Sequence, residues 1–194
     1  MKTKFFLTSL SLVSLLSGCA PSLGLRLGAP DVAFEEKEQS KVDAQALSGA
    51  KVKVGSFLDA RASDTIVVVD GREVRSEGEI GAAVQAGLER QLRDAGARIA
   101  LLQAPTIDGE VIEWRAKVTP DFPASEVVAK AKIKITLRGP KSEVLYRSTY
   151  VGDANKKHPF LGEKDVQATL GNAMASAIEV AVQDETLIGR ITAR

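Results

Sequence analysis

With 194 residues the chain is long enough for one domain with a substantial core, and 26 Lys and Arg against 25 Asp and Glu leave a net charge of +1. Near-neutrality gives nucleic-acid binding no support, so no nucleic acid is expected as a partner. One cysteine and one histidine exclude an internal disulfide and a His/Cys zinc cluster, and aromatics at 5% supply little for a broad aromatic ligand platform.

The chain opens MKTKFFLTSLSLVSLLSGCAPS. Lys2 and Lys4 precede an apolar run, Phe5 to Leu16, that is too short to span a bilayer, which takes about 20 apolar residues. This is the pattern of a secretory signal peptide over residues 1–18. Its end, Leu16-Ser17-Gly18-Cys19, resembles the lipobox of bacterial lipoproteins. The resemblance implies cleavage before Cys19 and a covalent lipid on it, and no other cofactor is expected. Cleavage leaves 176 residues and, without Lys2 and Lys4, a charge of −1. Ala20 rather than Asp follows the cysteine, which by the proteobacterial convention favours the outer membrane. No later segment reaches membrane-spanning length, so the remainder is expected to face the periplasm.

Residues 19–49, rich in Gly, Pro, Ser and charge, read as the lipidated cysteine and a tether. Leu23, Leu25, Leu27, Val32 and Phe34 leave open whether parts of it dock on the domain as short extended pieces. A single domain over 50–194 follows. KVKVGSF (51–57) alternates as a first strand, and a polar break leads to TIVVVDGREV, where Asp70-Gly71 signals a hairpin turn. Ser76 to Ala95 reads as a helix with Ile80, Val84, Leu88 and Leu92 on one stripe, Ser76 as its cap and Gly96 at its end. A short strand, Arg98 to Leu102, precedes three long ones: Thr106 to Val118, Glu126 to Arg138 and Glu143 to Val151. Residues 152–162 read as a loop, Glu163 to Asp184 as a second helix, and ETLIGRITAR as a docked turn. The order predicts an α+β fold: a largely antiparallel sheet with a long-stranded meander, two helices packed on one face and the other face wet.

The stretch VVAKAKIKITLRG is the most regular in the chain. Val127, Ala129, Ala131, Ile133, Ile135 and Leu137 share one parity, and Lys130, Lys132, Lys134 and Arg138 the other. Extending the wet parity to the neighbouring strands adds Arg115, Lys117 and Arg147 against Glu113 and Glu143. Without a β-bulge to flip a register, that face carries seven bases and two acids. Such a face suits an anionic envelope component, lipopolysaccharide, phospholipid or peptidoglycan; equally, it suits plain solvent.

No catalytic constellation emerges. His158 sits in a Lys-Lys-His-Pro stretch beside no evident nucleophile and reads as an exposed loop histidine. The glycines of GREVRSEGEIG have neither dinucleotide nor P-loop spacing. Trp114 falls on the apolar parity, as core, while Phe122 and Phe160 flank prolines in loops, either as anchors or as partner contacts.

Taken together, the lipobox, the tether, KVKVGSFLDAR before IGAAVQAGLERQLRDAGARI, the β meander and a final helix running into AVQDETLIGRI resemble the YajG-type family of outer-membrane lipoproteins. That family has no assigned activity, so the resemblance assigns no binding residues. The expectation is a non-enzymatic lipoprotein, held at the outer membrane by its lipid, whose periplasmic domain serves as a binding or adaptor module for an envelope protein. The alternative partner is an anionic envelope polymer on the basic face.

Overall fold

The computed structural model describes residues 47–69, 72–76 and 79–193. Cys19, the signal segment, nearly all of the tether and the Asp70-Gly71 turn lie outside them. In chain order the elements are β1 (Lys51–Asp59), β2 (Thr65–Val69), β3 (Arg72–Arg75), α1 (Ile80–Asp94), β4 (Arg98–Ile99), β5 (Thr106–Thr119), β6 (Ser125–Arg138), β7 (Val144–His158), α2 (Glu163–Val182) and α3 (Glu185–Thr192).

The three long alternating segments form an antiparallel meander, with β5 paired to β6 from Thr106↔Arg138 to Thr119↔Glu126 and β6 to β7 from Ser125↔His158 to Arg138↔Val144. β7 continues through His158, so much of the stretch expected as loop is strand. Gly152 reads as a breaker but belongs to the ladder, opposite Ala131. A Cβ at Gly152 would collide with the backbone of Ala173 and Ala177, so the missing side chain lets α2 lie directly on β7.

The other edge of β5 holds β1 and β2 end to end. β1 runs parallel to it from Lys53↔Thr106 to Asp59↔Val111, and β2, also parallel, from Val67↔Ala116 to Val69↔Val118. The polar break at 60–64 therefore does not reverse the chain. It is a detour in one interrupted strand line, and the sheet is mixed at this edge. The hairpin expected at Asp70-Gly71 is present in its flanks, with Val69 opposite Arg72 and Val68 opposite Glu73. β4 adds two parallel pairs outside β1.

Both main helices cover the same face, α1 over β1 and α2 over β6 and β7. The α1 stripe is buried as its spacing requires, at Ile80, Val84, Leu88 and Leu92. Ser76 does not cap this helix. Its N–H bonds the Asp64 carbonyl and its Oγ accepts from Arg61, while Glu79 occupies the cap position without a side-chain bond. At the other end, Gly96 has φ 90°, and the bonds Gly96 N to Arg93 O and Ala97 N to Leu92 O close the helix as a Schellman turn. The terminal segment expected as a turn is a helix, α3, with Leu187 and Ile191 buried.

Candidate functional site: the open sheet face and its ends

β6 sets the geometry. All six of its inward apolar side chains, from Val127 to Leu137, are 0% exposed, so the lysines between them face outward by necessity. The strand beside it does not keep one parity. In β5 the buried residues are Ile107, Gly109 and Val111, then Trp114, Ala116 and Val118, and the register shifts between Val111 and Glu113. Ile112 is the extra residue of a β-bulge. It lies where β5 faces the detour between β1 and β2.

The bulge rewrites the charge of the open face. In the first half of β5 the outward parity carries Asp108 and Glu110, which a constant register would have turned inward. These acids meet the bases of β6: Arg138 pairs with Asp108 at 3.1 Å, Lys134 with Glu110 at 3.1 Å and Lys132 with Glu113 at 3.6 Å. Arg115 also lies 2.7 Å from Glu113. Four of the seven bases expected to project a cationic field are thus paired. Arg147 donates from Nε to Thr136 Oγ1, a neutral partner, so Arg147, Lys117 and Lys130 make no ion pair among the described residues. Asp153, opposite Lys130 on the lengthened β7, adds a further acid to this face, and Lys157, on the same parity, a further base. The expected count of seven bases against two acids is corrected accordingly. Each cross-strand pair contributes roughly 0.2–1 kcal/mol and fixes which residues oppose each other.

At the β1–β2 detour, Arg61 holds Asp59 through two bonds of 2.8 Å and stands 6.0 Å above the Trp114 ring. The Arg61 side chain is 5% exposed, and its guanidinium also donates to Ser76 Oγ. Hydrogen bonding to Arg61 keeps the Asp59 carboxyl below its ordinary pKa, against the opposing effect of burial. A shallow cleft of about 280 Å³ opens beside it, lined by Ser63, Thr65, Glu113 and Arg115 among others.

Two polar clusters were not anticipated. Asp184 accepts from the Tyr146 and Tyr150 hydroxyls at 2.6 and 2.7 Å through Oδ2, while its Oδ1 caps α3 at Thr186 and Leu187. Burial raises the Asp184 pKa, but the two tyrosines and two backbone amides outweigh it and the net shift is downward. Burial first, then the neighbouring carboxylate, push the Tyr150 hydroxyl well above its ordinary range. The even spacing of Tyr146 and Tyr150 on β7 placed them on one side; that a cap residue 34 positions beyond Tyr150 joins them is a tertiary fact. The second cluster corrects the reading of His158 as an exposed loop residue. It ends β7, and its Nδ1 lies 3.3 Å from Asp165 Oδ1 in the first turn of α2. Ser125 is its cross-strand neighbour, and among the described residues Nε2 is buried without a hydrogen-bond partner. Among the described residues, no group of three or more His, Cys, Asp or Glu is placed to hold a metal ion.

Apolar side chains stand out of the sheet's far end. The β5–β6 connection and the chain leaving β7 emerge together, since Thr119 opposes Glu126 and Ser125 opposes His158. Phe122 and Phe160, on these two segments, are 94% and 93% exposed, so neither anchors its loop.

A family model described as uncharacterized lipoprotein matches residues 39–192, which take in every element above. The chain belongs to this lipoprotein family. Among solved structures, a Xanthomonas campestris protein is similar over 85% of this lipoprotein and 93% of that chain, with a TM-score of 0.52 and 14% identity, which shows the shared fold. A minor lipoprotein from Acinetobacter baumannii matches over 72% and 92%, with a TM-score of 0.44 and 10% identity. No curated protein matches the sequence. Among its described residues, the lipoprotein has no helix long and apolar enough to cross a membrane.

Proposed function

We propose that this chain is an outer-membrane lipoprotein of the YajG type, lipidated at Cys19, whose domain is a non-enzymatic adaptor for a protein of the cell envelope. One observation carries the adaptor reading. The charged face is zipped by its own ion pairs, whereas Phe122 and Phe160 are offered almost whole to a partner at one end of the sheet. Exposed aromatics are typical anchors of protein interfaces, where burial of such a side chain dominates affinity. The rival reading, an anionic polymer on the basic face, keeps its support only at Lys117, Lys130 and Arg147.

Two experiments test the proposal. Cys19→Ala abolishes palmitate labelling and releases the protein from the outer-membrane fraction; unchanged labelling refutes the anchor. A photo-crosslinking amino acid at position 122 or 160 in intact cells captures one defined protein, while the same probe at Lys132 does not. Equal capture from all three positions, or none, refutes the adaptor surface.

A further inference from the structure

The sheet treats its two borders differently. On one side the outermost strands are β3 and β4, only four and two residues long. On the other side β7 runs for 15 residues and, among the described residues, pairs with β6 alone. Its outer edge therefore presents a long row of unpaired backbone N–H and C=O groups. Short strands, prolines, bulges and covering loops are the usual means of blunting such an edge. β7 contains no proline, and its register against β6 is unbroken from Tyr146 to His158.

The side chains along this edge are arranged about a centre. Three residues before Tyr150 stands Arg147, and three after it Asp153. Both are exposed. Asp153 makes no ion pair among the described residues, and Arg147 bonds only a threonine. Equal offsets from Tyr150 therefore carry opposite charges. Antiparallel self-pairing centred on Tyr150 sets each residue opposite the one at the mirrored offset. Arg147 then meets Asp153 of the other copy, twice by symmetry. Bulk matches as well, with Tyr146 against Ala154 and Ser148 against Gly152. Shifting the centre by two residues in register breaks this agreement: centring on residue 152 sets Arg147 against Lys157.

We propose that β7 is a self-recognition edge: two copies join through antiparallel β7–β7 pairing centred on Tyr150, extending the sheet across a two-fold axis. Isologous contact closes on itself and consumes the edge, so assembly stops at the dimer. This surface is separate from the Phe122–Phe160 end, and neither reading requires the other.

Sedimentation of the full chain in detergent, at micromolar concentration, tests it. The parent sediments as a dimer. Asp153→Arg places like charges opposite each other twice and raises the dissociation constant at least about tenfold. The double variant Arg147→Asp with Asp153→Arg restores the dimer, because it exchanges both partners. Circular dichroism verifies folding, and Arg147→Asp alone replaces Asp153→Arg should that variant not fold. A monomeric parent, a dimer indifferent to the single reversal, or a double variant no tighter than the single each overturns the proposal; so does an edge found occupied by a strand of a different protein.

Discussion

The two faces of β6 come from one alternating sequence and are satisfied by opposite means. Inward, Val127 to Leu137 lie against α2 and the neighbouring strands with no exposure. Outward, Lys132, Lys134 and Arg138 remain in water and reach across to acids on β5. Burying an aliphatic side chain stabilises by roughly 1.5–3 kcal/mol and is insensitive to register beyond its parity. An exposed ion pair contributes about 0–1 kcal/mol and is screened over about 8 Å at physiological ionic strength, but it depends on which residue stands opposite. Stability thus resides on one face, while the other discriminates between neighbouring registers. Lys134 meets Glu110 only because Ile112 is left out of the ladder.

The largest loss is expected from hollowing the inward face. Ile135→Ala removes a fully buried side chain and leaves a cavity, with an expected loss of about 2–5 kcal/mol in urea unfolding. Gly152→Ala adds one carbon where α2 touches β7 backbone to backbone; it forces the helix outward at a cost of about 1–3 kcal/mol, seen as a lower melting temperature. Asp184→Asn retains a cap for α3 but removes the charge that the two tyrosines face, for about 1 kcal/mol at neutral pH. Its pH signature has a definite sign. The native Asp184 carboxyl has a pKa below its ordinary value, so the folded state binds fewer protons than the unfolded one in the acid range. The parent's contribution is complete above the unfolded pKa and is lost as pH falls through the folded one; the Asn variant has a flatter acid limb in stability-versus-pH melts. Smallest of all, Lys134→Ala stays within about 0.5 kcal/mol, and that difference shrinks further in high salt.

Periodicity made the inward face legible. Every inward residue of β6 and every member of the α1 stripe could be named from spacing alone, because one-sided burial imposes a period of 2 or 3.6. The outward face was not legible, since its charge balance hangs on a single residue. The signal was nevertheless present. Ile107 and Val111 hold one parity, Trp114, Ala116 and Val118 the other, and the adjacent pair Val111-Ile112 marks the switch. Carrying the later parity back through the whole strand concealed Asp108 and Glu110. The collinearity of β1 and β2 was beyond local reading, because a polar break looks alike whether the chain reverses or resumes. Ser76 had the right chemistry for a helix cap but was claimed by a strand bridge and by Arg61. Cys19, read from its lipobox, lies outside the described residues.

The single tryptophan gives the fold an optical signature of its own. Trp114 belongs to β5, its indole N–H donates to the Leu170 carbonyl of α2 at 3.0 Å, and only 1% of it is exposed. The chain's one indole fluorophore therefore sits at the joint between the sheet and its principal helix. Its emission in the native protein is expected at short wavelength and poorly quenched by acrylamide. A red shift that precedes the loss of strand signal in the far ultraviolet would time the lifting of α2 separately from the melting of the meander, without any label attached.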